Sequence, residues 1–150
     1  MPSFFTNSEP RALAANGPVI PVHIWLPAFE RQRLQEAHVP VHGMVQVGAL
    51  IDSGASFTSI APRVARELGL VPQGATQMFT AGHPTWISLY DVALDIGQAI
   101  GVQSVVIDPI RVGEAPLTGQ TQIECLVGRD VLAMGLFTYV GFAGSFGFSV

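Results

Sequence analysis

The sequence predicts a mainly β fold in one domain, and three observations carry that expectation. Apolar residues recur with period two in several short runs, as strands with one buried face require. Only brief stretches fit a helical period, so helices act as punctuation between strands. The chain has 150 residues, about one domain's worth, with no internal repeat and no linker-like segment. We expect an N-terminal segment over residues 1–18 and a single domain over 19–150.

The elements follow in chain order. "PVIPVHIWLP" alternates around Val22, Ile24 and Leu26 and reads as a strand. "AFERQRLQEAH" is polar, a short surface helix or an ordered loop that looks like an insertion; residues 28–40 could lie over a cleft or decorate a surface. "VPVHGMVQVGALID" gives one or two strands, broken near Gly43 and Gly48, that lead straight to Asp52. "APRVARELGL" is the clearest helix: Pro62 suits a first turn, Ala61, Ala65 and Leu68 share a face, and Gly69 before Leu70 fits a glycine C-cap. "QMFTAGHPTWISLYDVALDIG" reads as two strands joined near Ala81 to Pro84, and "VQSVVIDPI" as another strand. On the first of these, Asp91 and Asp95 fit a solvated face. "TGQTQIECLVGRDVLAMG" gives a strand ending at Gly128 and then a brief helix.

The last stretch, "VLAMGLFTYVGFAGSFGFSV", is uncharged and long enough to span a bilayer as a helix. Gly135, Gly141, Gly144 and Gly147 interrupt it, and Phe137/Tyr139 and Phe146/Phe148/Val150 alternate with small residues. A hairpin turning near Ala143 and Gly144 is the better reading, and no membrane partner is expected.

Composition narrows the function classes. Charged residues make up 12% of the chain and apolar ones 49%, so more apolar surface is present than one monomer's core needs. The net charge is only −4 and the basic residues are scattered, which leaves no electrostatic footprint for nucleic acid. Cys125 is the sole cysteine, so there is no internal disulfide and no cysteine-rich zinc site; a buried apolar filler is expected. His23, His38, His42 and His83 form no ligand spacing, and no metal or other cofactor is expected. The N-terminus lacks a basic region followed by an apolar run, so a cytoplasmic protein is expected.

The chemistry centres on "ALIDSGASFTSIAP". Asp52 ends an apolar strand and precedes a tight run of small residues, an arrangement that limits its solvation and holds it stiffly. Asp-Ser-Gly alone also fits a solvated Asx turn. A serine-hydrolase elbow around Ser56 fails, because Thr58 stands where a second glycine is needed.

Taken together, "ALIDSGASFTSIAPRVARELGL" and the later "CLVGRDVL" resemble the retropepsin-like aspartic proteases, single-domain relatives of pepsin that include retroviral proteases and many bacterial proteins. The match spans most of residues 41–150. The resemblance implies a retropepsin-like acid protease barrel, with one short helix after the active-site loop and one after the Gly-Arg-Asp motif. It implies an aspartic endopeptidase in which Asp52 is catalytic, Ser53, Gly54 and Ala55 support its loop, and Gly128, Arg129 and Asp130 are a structural motif. Since one chain carries one Asp-Ser-Gly, the second carboxylate implies a homodimer, and the uncharged C-terminal hairpin resembles the family's dimer sheet. The flap is expected in "FTAGHPTW", with Thr80, Ala81, Gly82 and His83 over an extended peptide or protein substrate. Trp86 packs either behind the flap or in the core. His83 adds pH dependence or is an idle loop histidine. One departure stands out: the second acid that follows the loop acid four positions later in retroviral members is Ser56 here, so Arg129 needs another partner, a backbone carbonyl being the candidate. A catalytically silent relative serving as a dimerisation or peptide-binding module is the alternative.

Overall fold

The computed structural model describes residues 3–80, 82–97, 103–117 and 122–150. Its centre is a sheet that closes on itself. Strands β2 (Val19–Trp25), β3 (Val45–Ile51), β8 (Ile123–Val127), β4 (Ser59–Ile60), β7 (Val105–Glu114) and β6 (His83–Ile96) are hydrogen-bonded in that order, and β6 pairs back onto β2. The result is a six-stranded barrel, with β5 (Gly74–Thr80) attached to the outer part of β6. Closure removes the open edges that a flat sheet would expose.

The period-two pattern produces this core directly. In β2, Ile20, Val22 and Ile24 point inward while their neighbours are half-buried, and in β3 Val45, Val47, Ala49 and Ile51 do the same. Each strand therefore contributes one apolar stripe to a shared interior. Cys125 is fully buried among these stripes, as a small apolar filler would be. Burial, with the Asp130 carboxylate as a lesser influence, pushes its thiol up to about 12.

Helix α3 (Pro62–Glu67) plugs one end, with Val64, Ala65 and Leu68 buried. It ends as expected. Gly69 has φ +63°, its N–H donates to the Arg66 carbonyl (3.1 Å), and the Leu70 N–H reaches the Ala65 carbonyl (3.0 Å), the two bonds of a Schellman cap. Arg63 grips Glu124 of β8 through two 2.6 Å bonds, which holds the Glu124 carboxyl below its usual range.

Residues 28–36 form a surface helix, α2 (Ala28–Glu36), that buries none of its side chains. It is attached rather than packed: Asp108 accepts from the Ala28 N–H and from Arg31, and the Arg31 guanidinium lies 5.1 Å from the Trp25 ring centre.

A second sheet has three strands, β1 (Ser3–Asn7), β10 (Ser145–Ser149) and β9 (Leu136–Val140), all antiparallel. The expected C-terminal hairpin is β9 and β10, joined by a 3₁₀ turn over Gly141–Ala143. The N-terminal segment supplies β1 and helix α1 (Pro10–Asn16), whose Phe4 and Leu13 are buried in the core. Phe146 and Phe148 face inward beside Phe4, whereas Phe5 and Leu136 point outward and are exposed. Among the described residues no helix is long and apolar enough to cross a membrane.

Two sequence expectations change. Asp95 is buried at 4% exposure rather than solvated, because β6 is flanked there by both β2 (His23) and β7 (Val106). Asp91 stays at the surface, in an ion pair with Arg111 (2.9 Å). Trp86 is 68% exposed and so belongs neither to the core nor behind a packed flap.

Candidate active site

Asp52 leaves β3 beside the end of β8, and its N–H donates to the Val127 carbonyl (2.9 Å). The loop then turns back at once. The Gly54 N–H donates to Asp52 Oδ1 (2.8 Å) and the Ala55 N–H to the Asp52 carbonyl (3.2 Å). A backbone donor aimed at a carboxylate fixes its rotamer and favours its charged form. Asp52 is half-buried, whereas Ser53 and Gly54 are exposed at the loop's tip.

The Gly-Arg-Asp segment holds this loop from below. The Arg129 N–H donates to the Ala55 carbonyl (3.0 Å), and its guanidinium donates to the Ser53 (2.9 Å) and Gly54 (3.2 Å) carbonyls. Backbone carbonyls therefore take the place of the acid that Ser56 lacks, as the sequence suggested. Gly128 is needed for close approach: a Cβ there would sit 2.5 Å from the Phe57 backbone. Asp130, in the first turn of α4 (Arg129–Leu132), accepts from the Val131 N–H (2.9 Å), but it also reaches across to the loop.

That reach reveals a residue the sequence did not single out. Thr58 is fully buried; its N–H and hydroxyl both donate to Asp130 (2.8 Å each), and its Oγ1 accepts from the Gly128 N–H (3.1 Å). One threonine thus joins the two motifs. Nothing in the local sequence separates Thr58 from Ser53, Ser56 and Ser59 around it; only the return of Gly128 to its side does.

Above the loop lies a cleft of about 500 Å³. The loop residues Asp52, Gly54, Ala55, Ser56 and Phe57 form its floor, with Ser59, Leu126, Ala115, Pro116 and Leu117 from the barrel and Gln77, Met78 and Phe79 from the β5–β6 hairpin. Asp52 is the sole charged residue lining it among the described residues. The hairpin is where a flap was expected: Thr80 pairs with His83, Gly82 has φ +82°, and His83 is exposed. Ala81 lies outside the described residues. Residues 28–40 contribute nothing to this cleft; α2 decorates another surface. Among the described residues, no cluster of histidine, cysteine and acidic side chains could hold a metal ion.

Comparison with known proteins agrees with this geometry. A family described as "Aspartyl protease" matches residues 37–131, which includes both the Asp52 loop and the Gly-Arg-Asp segment. Among solved structures, a retropepsin-like aspartic protease from Rickettsia conorii is similar in fold, with a TM-score of 0.56 at 11% sequence identity over 97% of this chain and 89% of that chain. No curated protein matches the sequence.

Proposed function

The chain belongs to the aspartyl protease family, with a retropepsin-like fold, and from that premise we propose that it is an endopeptidase whose catalytic pair is Asp52 from each of two copies. The observation that carries the reading is a single carboxylate at the floor of an elongated apolar cleft, fixed by the Gly54 N–H and braced by Arg129 and Thr58. One carboxylate supplies half of an acid–base pair. A two-fold partner supplies the other half.

As in aspartic proteases generally, two carboxylates about 3 Å apart share one proton, because both cannot ionise at that distance. The ionised member takes a proton from a water as it attacks the peptide carbonyl, and the protonated member donates to the developing oxyanion. The proton then passes to the leaving amine. Ser53, exposed at the loop tip, serves to tie the two loops together across the axis. The Gly54 carbonyl has one lone pair taken by Arg129 and a second left for a substrate N–H. The β5–β6 hairpin closes over the peptide, with Thr80, Ala81, Gly82 and His83 at its tip, and excludes water. The outward-facing Phe5 and Leu136 of the three-stranded sheet offer apolar surface for the pairing of copies.

The test is cleavage of a diverse peptide mixture at roughly pH 3.5 to 7.5, read by mass spectrometry, with Asp52→Asn as the matched control. Cuts made by the wild type and lost in the variant are expected, together with sedimentation as a dimer at the concentrations where cutting occurs. Identical products from both proteins, or none from a folded dimeric wild type, would favour a peptide-binding module.

A further inference from the structure

The cleft wall beside the Asp52 loop contains an aromatic ring resting on a strand that has no side chain to meet it. Phe57 is half-buried and lines the cleft together with Leu126, Leu117 and Met78. Behind it runs β7 at Gly113. That backbone is fixed: its N–H donates to the Thr58 carbonyl (3.0 Å), and the residue pairs with Ser59 on one side and Leu89 on the other. A Cβ at Gly113 would lie 2.7 Å from Phe57 Cε2 and 2.7 Å from Ile87 Cδ1. Gly113 is not among the glycines with left-handed backbone, so the position requires the missing side chain rather than backbone freedom. Any larger residue there would push the Phe57 ring off its seat, and the open side of that ring is the cleft.

We propose that Phe57, seated on Gly113, is the specificity-determining residue of the cleft. It selects peptides that place a large apolar side chain, aromatic above all, next to the bond to be cut. A charged side chain at that point would lose its water against Phe57, Leu117 and Leu126 and gain no counter-charge from the described lining. A flat ring offers an aromatic partner both area and a favourable offset or edge-on contact. Gly113 acts through Phe57 and is a positioning residue. The proposal deepens the peptidase reading and rests on it.

The experiment compares the peptide-cleavage profiles of wild type, Phe57→Ala, Gly113→Val and the double variant. Phe57→Ala is expected to lower kcat/KM for sites with an aromatic residue by about 10- to 100-fold, mostly through KM, while sites with small side chains change little. Gly113→Val drives the ring into the cleft and shifts cutting toward small side chains. In the double variant valine occupies the space the ring has left, so large side chains return relative to Gly113→Val alone. Unchanged profiles in Phe57→Ala, or a double variant no better than Gly113→Val, would overturn the proposal. Should Gly113→Val fail to fold, Gly113→Ala makes the same comparison with a smaller displacement. If the wild type cuts nothing, the peptidase reading fails on its own. Capture of the same peptides by Asp52→Asn with and without Phe57→Ala then decides the selectivity: loss of aromatic peptides sustains it, and identical captured pools overturn it.

Discussion

Thr58 bears more of the site's rigidity than its composition suggests, since one hydroxyl both donates to Asp130 and accepts from the Gly128 N–H with no exposure to water. Thr58→Val keeps the shape and leaves Gly128 without a partner. A loss of about 1–3 kcal/mol in unfolding free energy is expected, with Thr58→Ser retaining most of it; urea titration measures both. Cys125 makes a second prediction at this scale. Its thiol holds its proton up to about 12 in the fold, against 9.0 in an unperturbed chain, so above pH 9 the unfolded state binds fewer protons than the folded one. Stability is therefore full below about pH 9 and falls as pH rises toward 12. Tyr90 acts with the same sign, because burial and its bond to Glu114 raise its phenol above 10.0. Urea midpoints measured across that range are expected to fall, and Cys125→Ala is expected to flatten the decline.

At the scale of elements, α3 shows how few residues decide where a helix stops. Gly69 sits at φ +63° with His42 Nε2 in the way of any Cβ (3.2 Å). Gly69→Ala is expected to cost about 1–2 kcal/mol, read as a lowered urea midpoint. This cap was legible in the sequence, as were the alternation of β2, the turn between β5 and β6, and the C-terminal hairpin, because each depends on residues within one short window. Asp52 and the Gly-Arg-Asp motif were legible as well. Thr58, Phe57 and Gly113 were not, since their roles arise only when β4, β7 and β8 come together. Asp95 and Trp86 were misread for the same reason in opposite directions. Local alternation cannot show that β6 is flanked by two neighbours near Asp95 yet reaches beyond the barrel at Trp86. β1 escaped notice because five residues carry too little pattern, and its partner β10 lies at the other end of the chain.

For the whole molecule, the relevant fact is that both chain ends enter one sheet while the barrel closes between them. Phe4 from the start of the chain and Phe148 from its end stand with ring centres 6.5 Å apart, so the two ends are ordered together with the core. The barrel's closure through β2 and β6 has a further consequence for amide hydrogen exchange. Strands inside a closed ring have no free edge from which to peel, so the N–H groups of β2, β3 and β8 exchange only when the whole domain opens. β5 stands outside the ring and bonds on one side only, to β6. Its amides are expected to exchange through small local openings, many times faster than those of β3. The same asymmetry allows the cover of the cleft to move while the floor that carries Asp52 keeps its shape.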